Sequence, residues 1–223
     1  MSKVVHPFAH RLGILRDWRH RWFAEGPQYQ ANLKADILLR EFLQRELRGM
    51  YIGGLELERN QKQLRVIIKT SRPGVIIGRS GEGSVKLRNK IVAFLQDKKI
   101  AVPAELKLDI EEIRSPESNA AIVAYMVAEG LEKRLPFRRV LKQTIEKVMA
   151  NRDVKGVRIG LSGMLGGGSM SRREELKKGR IPLQTFRSDI DFARERANLP
   201  LGVIGVKVWI YKGEVFSPRA KDK

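Results

Sequence analysis

The chain has 223 residues, no cysteine and a formal net charge of +19, from 44 Lys/Arg against 25 Asp/Glu. That length fits one large domain or two modest ones with a real core, and the lack of cysteine excludes disulfides, thiol nucleophiles and Cys-ligated metal. No apolar run reaches the roughly 18 residues of a membrane span, Met1–His10 has no signal-peptide core, and so large a positive excess points to a polyanion, with nucleic acid far ahead of a membrane surface.

In chain order, residues 1–27 read as a basic arm, with Arg11, Arg16, Arg19 and Arg21 interleaved with Trp18, Trp22 and Phe23. Such an arm can lie along RNA, stacking and pairing with phosphates, or it can anchor itself to the body through its tryptophans. From Gln28 the spacing of Leu33, Ile37, Leu38, Phe42, Leu43 and Leu47 predicts a helix that ends at Gly49. Strands are predicted over Tyr51–Glu58 and over the β-branched run Leu64–Thr70. Pro73-Gly74 opens a helical turn carrying Val75, Ile76 and Ile77. Gly78-Arg79-Ser80-Gly81 and a second helix with Val85, Leu87, Ile91, Phe94 and Leu95 follow, then a strand over Leu106–Ile113.

Pro116 discourages helix at Ser115 and marks a domain boundary at residue 114. Beyond it the pattern predicts helices over Glu117–Leu135 and Phe137–Arg152, broken at Pro136. Strands follow over Gly156–Met164, Arg180–Asp191 and Val203–Tyr211, with a glycine turn at 166–168. Residues 214–223 read as a loose polar tail. The organisation expected is therefore an arm at 1–27, an α+β domain at 28–114, a second α+β domain at 115–213 and the tail.

Three segments carry the candidate chemistry. In Gly78-Arg79-Ser80-Gly81 the glycines let the backbone turn sharply and approach a sugar-phosphate, Arg79 adds a cation, and Ile76 and Ile77 could wall off unstacked bases. Ile77, Gly78, Arg79, Ser80, Gly81, Lys86 and Arg88 are the candidate contacts there. In the helix from Phe137, the residues Phe137, Val140, Leu141, Ile145 and Val148 share an apolar face, leaving Arg138, Arg139 and Lys142 on or beside the polar one. Lys133–Lys155 carries eight Lys/Arg against Glu146 and Asp153, fewer carboxylates than an ordinary solvated face. After the glycine turn, Arg172, Arg173, Lys177, Lys178, Arg180 and Arg187 stand against Glu174 and Glu175, suited to phosphates. With Arg11, these form a set of candidate contacts to RNA phosphates. There is no phosphate-binding G-x-x-x-x-G-K-[ST] loop, all three histidines fall in the arm, and Asp189 and Asp191 lack a third ligand. Neither catalysis nor a metal or other cofactor is expected.

The glycine tetrapeptide between two short helices resembles the KH family, whose loop clamps single-stranded RNA, and the preceding helix and strand make it similar to the type II variant. The implied fold class is α+β: a type II KH domain, with helices packed on a three-stranded sheet, then a second α+β domain with two helices and a mixed or antiparallel sheet. Over nearly its full length the chain resembles the family of bacterial-type small-subunit ribosomal proteins S-three. The resemblance is carried by Val5–Ile14, the Arg72-Pro73-Gly74 to Gly81 run, Phe137-Arg138-Arg139, Gly179–Thr185 and Gly202–Gly213. Departures are Met164, Ser84, Ser80 and Glu175 at positions where that family usually has other residues.

The resemblance implies a structural constituent of the small-subunit head in the cytoplasm. It implies contact with small-subunit ribosomal RNA, neighbours in ribosomal proteins S-ten and S-fourteen, and a place beside the channel through which mRNA enters. There Arg138, Arg139 and Lys142 would grip and help unwind the message. Two other readings remain: a free-standing KH-type RNA regulator or chaperone, and a nuclease or lesion lyase acting through a lysine.

Overall fold

The structure, a computed structural model, describes residues 5–60, 62–100, 102 and 104–216. It comprises two units. Trp18–Arg114 form one, and the residues up to Asp17 together with those from Ser115 onward form the other. No helix among the described residues is long and apolar enough to cross a membrane.

The 18–114 unit is a KH-type domain. Helix α2 (Gly26–Glu46) precedes strands β2 (Ile52–Arg59) and β3 (Gln63–Thr70); helices α3 (Pro73–Ile77) and α4 (Glu82–Asp97) follow, then β4 (Glu105–Glu112). β3 is central, antiparallel to β2 and parallel to β4. Its Leu64, Val66 and Ile68 face the helices, while Ile67, on the other face, is buried between Glu56 and Asp109 of the two flanking strands. Leu39 and Leu43 of α2 and Leu87, Ile91 and Leu95 of α4 close over one sheet face. Each such leucine or isoleucine contributes about 1.5–3 kcal/mol of transfer free energy.

Two differences from the expected arm appear here. The sheet has a fourth member, the two-residue strand β1 (His20–Arg21), which runs parallel to Leu57–Glu58. Residues 1–27 are therefore not one arm: the part from Trp18 joins the KH sheet, and the part up to Asp17, including the short helix α1 (Pro7–His10), belongs to the other unit. The first four residues lie outside the described ones.

The second unit lays helices α5 (Ala120–Glu132) and α6 (Phe137–Ala150) on a fully antiparallel sheet of order β6-β5-β8-β7. Its strands are β5 (Gly156–Gly163), β6 (Arg172–Gly179), β7 (Ser188–Leu199) and β8 (Gly202–Glu214). Val157, Ile159 and Leu161 of β5 and Ile204, Val206, Val208 and Ile210 of β8 meet Val123, Val127, Val140, Leu141, Ile145 and Val148 of the helices in one core.

Helix α5 begins later than the expected Glu117. A 3-10 turn occupies Pro116–Ser118, and Asn119 caps the helix by accepting from the Ala121 and Ile122 N–H groups at 3.0 and 3.3 Å. Asp191 Oδ2 accepts from the Ala120 N–H at 2.8 Å, while Asp189 pairs with Arg16 at 2.6 Å. The two aspartates thus serve a helix end and an ion pair.

The strand expected at Arg180–Asp191 starts only at Ser188, and residues 172–179, for which the sequence pattern predicts no element, form β6, paired along its whole length with β5. The carbonyls of Leu183 and Thr185 turn away from any ladder to accept from the Arg11 guanidinium, each at 3.0 Å. The expected tail begins inside β8, which runs to Glu214; Val215 N–H donates to the Arg187 carbonyl at 2.9 Å. The part of that tail from residue 217 lies outside the described residues.

Candidate nucleic-acid interface

In the KH unit, α3 stops because Gly78 takes φ 71° and ψ −178°, a conformation essentially confined to glycine. Ser80 and Gly81 are both left-handed, at φ 53° and 83°, and Gly81 starts α4. Ser84 Oγ donates to the Gly81 carbonyl at 2.7 Å and tightens the return, which gives this serine a local role. Gly78, Arg79 and Ser80 are exposed, Arg79 makes no ion pair among the described residues, and Lys86 and Arg88 stand out from α4, Lys86 within 3.2 Å of Glu82. The loop is an open, positively charged turn with accessible backbone.

The apolar wall beside this loop is not the expected Ile76–Ile77 pair. Ile76 is buried in the core, because the short helix must anchor on it, whereas Ile77 is exposed together with Val75 and Val85. Val75, Ile77 and Val85 are the apolar side chains available to an unstacked base.

The loop depends on a third glycine, Gly83. A Cβ built on Gly83 would stand 2.9 Å from the Ile77 carbonyl oxygen and closer still to that of Ile76, so α4 can lie against the end of α3 only with glycine there. The signal was present as a third G in G-R-S-G-E-G.

In the other unit, α6 presents its cations as the sequence predicts: Val140, Leu141, Ile145 and Val148 are buried, and Arg138, Arg139 and Lys142 are exposed. β6 reaches this helix. The guanidinium carbons of Arg138 and Arg172 lie 5.6 and 5.4 Å from the Phe137 ring centroid, close enough for cation–π attraction. Glu174 stands 3.7 Å from Arg138 and 3.6 Å from Arg172. The glycine turn packs on the same ring, since a Cβ on Gly166 would meet Phe137 at 3.5 Å. The basic helix, the glycine turn and the start of β6, separate segments in the sequence, therefore form one positively charged cluster around Phe137.

The remaining cations fall differently. Arg173, Lys177, Lys178 and Arg180 are exposed along and after β6, with Arg173 3.2 Å from Glu175. Arg187 is exposed but pairs with Glu214 at 2.7 Å. Arg11 requires a correction. It is fully buried, with Nε donating to the Ser188 carbonyl at 2.5 Å and Nη1 to Pro7 at 3.0 Å. Committed to backbone carbonyls, its guanidinium is not available to an RNA phosphate. The histidines are also structural: His6 meets Phe192 edge-on, His10 stacks on Phe186, and His20 lies 3.6 Å from Asp36.

Comparison with known proteins gives the same two-part division. Residues 38–118 match the family described as KH domain, and residues 127–210 match "Ribosomal protein S3, C-terminal domain". The chain is 40% identical to the small ribosomal subunit protein uS3 of Clostridium novyi (strain NT) over 215 residues, which is 96% of this chain and 94% of that protein. It is 41% identical over 222 residues to the proteins of the same name from Ectopseudomonas mendocina (strain ymp) and Pseudomonas fluorescens (strain Pf0-1), covering 100% of this chain and 94% of each.

Proposed function

The chain belongs to the uS3 family of small ribosomal subunit proteins, and from that premise we propose that it is built into the head of the subunit. There it holds small-subunit ribosomal RNA and lines the channel through which mRNA enters. In this reading Arg138, Arg139 and Lys142 grip the incoming strand, and the chain lies beside ribosomal proteins S-ten and S-fourteen. The observation that carries the reading is the α6 cluster: three exposed cations on a helix whose other face is locked in the core, joined by Arg172 across the Phe137 ring.

Cations fixed on a rigid element lower the free energy of a strand whose phosphates they meet, without reading its bases. A paired message arriving at such a ridge is biased toward its opened form, because the separated strand gains contacts that the duplex geometry denies. No covalent step is needed, and translocation supplies the work. The KH loop adds a second grip through Gly78–Gly81 and Arg79, while Arg173, Lys177, Lys178, Arg180 and Arg187 extend the phosphate contacts to ribosomal RNA.

Sedimentation of the chain with small subunits, persisting through a high-salt wash, is the expected result; a chain confined to light fractions would sink the ribosomal placement and leave a free-standing KH-type RNA binder. Subunits carrying Arg138→Ala with Arg139→Ala should assemble normally yet translate strongly paired messages more slowly than unpaired ones. Equal rates on both would remove α6 from the unwinding role.

A further inference from the structure

Each unit leaves one sheet face uncovered by its long helices, and the two faces differ in charge. On the KH sheet the open face carries Arg21, Arg65, Lys69 and Lys107 against Glu56, Glu58, Asp109 and Glu111. These neutralise one another: Arg21 pairs with Glu56 and Glu58 at 2.9 and 2.8 Å, Lys69 with Glu56 at 2.7 Å, and Arg65 with Glu58 at 3.2 Å and with Asp109. That face has no charge left over for a polyanion.

The open face of the second sheet is not balanced. Strand alternation and register put Arg158 of β5, Arg173 and Lys177 of β6, Arg194 and Arg196 of β7 and Lys207 of β8 on it together. Among these cations stands one carboxylate, Glu175; Asp189, opposite Gly213 at the far end of the face, is already paired with Arg16 at 2.6 Å. Directly opposed positions form two rows, Lys177 beside Arg158 and Lys207 beside Arg194, with successive rows roughly 7 Å apart along the strands. Like charges placed directly opposite are destabilising unless something compensates them. Lys177, Arg194 and Lys207 are exposed and pair with no carboxylate among the described residues.

The other end of this face is sealed. Ile181, Leu183 and Phe192 cover Ile190, Trp209 and Tyr211, and Arg158 lies over the Trp209 ring at 5.0 Å. What stays open is the cationic part.

We propose that this open cationic face, centred on Arg158, Lys177, Arg194 and Lys207, is a second phosphodiester-binding surface for RNA, distinct from the α6 cluster on the opposite side of the same sheet. Glu175 acts as its internal competitor, holding Arg158 at 2.6 Å and Arg173 at 3.2 Å until phosphates replace it. The surface deepens the RNA-binding reading above and rests on it. A row of cations on a sheet face would hold the backbone without regard to sequence.

The test is a salt titration of the full chain binding a fluorescent single-stranded RNA, read by anisotropy. Arg194→Ala with Lys207→Ala should flatten the slope of log affinity against log salt by about 1.4, the loss of two phosphate contacts on a single strand. A control of equal charge in the KH unit, Lys34→Ala with Lys98→Ala, should flatten it by less than half as much. Glu175→Gln, freeing two arginines, should steepen it by up to about 1.4. Equal shifts from the two double variants, or no shift from the first, would overturn the surface. A chain that binds RNA through this face but never sediments with small subunits would instead overturn the ribosomal reading and leave the face standing.

Discussion

Arg11 stands 177 positions before Ser188, yet its Nε donates to the Ser188 carbonyl at 2.5 Å, and its other nitrogens reach the carbonyls of Pro7, Leu183 and Thr185, each at 3.0 Å. Burial pulls the guanidinium below its ordinary pKa, against the nearby Asp189 carboxylate, which raises it; Arg16 adds to the lowering. The residue is a clasp that ties α1 to the 182–188 segment and substitutes for a strand partner there. Arg11→Ala leaves those carbonyls buried without a donor. At about 1.5–3 kcal/mol for a hydrogen bond to a charged group, the second unit should lose at least about 3 kcal/mol, read as a lower urea midpoint of Trp209 fluorescence. Arg11→Lys should recover only part, since an ammonium cannot fork to several carbonyls. A loss in the alanine variant no larger than that of an ordinary surface substitution would refute the clasp.

The KH unit has its own buried charge. Asp36 accepts from Arg59 at 2.6 Å and from Trp22 Nε1 at 2.7 Å, with His20 3.6 Å away. Burial pushes this carboxyl up, but His20, Arg59 and Trp22 together outweigh it and hold it below the ordinary carboxylate value. A carboxylate with a depressed folded-state pKa contributes stability that is fully present above its unfolded value of about 3.9 and is lost as pH falls through the lower folded value. The urea midpoint of this unit should therefore hold level down to about pH 4 and fall below it. Asp36→Asn should lower stability at pH 7 by about 3 kcal/mol, since it leaves Arg59 uncompensated, and flatten the acid limb. An acid limb of unchanged steepness in Asp36→Asn would assign the acid loss to other groups.

Legibility in the sequence followed burial patterns. α2, α4 and α6 and strands β3, β5 and β8 were readable because each buries one stripe or one continuous apolar run, and period alone places their cations outward. β6 was not, because Arg172–Gly179 is an edge strand charged on both faces, with only Leu176 apolar; charge on an edge guards against unwanted pairing but erases the alternation that marks a strand. The role of Arg11 was equally hidden. Nothing within ten residues of it tells whether a guanidinium meets a phosphate or a set of carbonyls 172 to 177 positions away. For the same reason the Phe137–Arg138–Arg172 cluster had its parts named in the sequence but not its assembly.

Gly83 tests the architecture of the KH loop apart from its charge. Replacement of Gly81 by alanine meets no neighbour but must hold φ at 83°, a cost of about 1–2 kcal/mol. Replacement of Gly83 by alanine instead drives a methyl into the carbonyls that end α3, and α4 must shift. Overpacking of this kind costs about 1–3 kcal/mol, and here the displaced element carries Lys86 and Arg88. Gly83→Ala should therefore weaken RNA binding by the isolated chain although it removes no cation. Undiminished binding in Gly83→Ala would show that the loop grips phosphate without the close approach of α3 and α4.

Phe137 is the point on which the α6 ridge turns. Its ring packs half-buried against the core and holds two guanidinium groups near its centroid. Each such contact is worth about 0.5–1 kcal/mol at an exposed site, enough to bias rotamers of side chains that would otherwise sweep through solvent. Phe137→Leu keeps apolar bulk under Gly166 but removes the π face, so the fold should stay within about 1 kcal/mol of the parent while Arg138 and Arg172 lose their common anchor. Ribosomes carrying Phe137→Leu should then translate a strongly paired message more slowly than the parent and an unpaired message at the same rate, a pattern weaker than that of Arg138→Ala with Arg139→Ala because the charges remain. A uniform slowing on both messages would point to assembly or stability rather than to the ridge. Parental rates on both would mean that the cations act without the ring that aligns them.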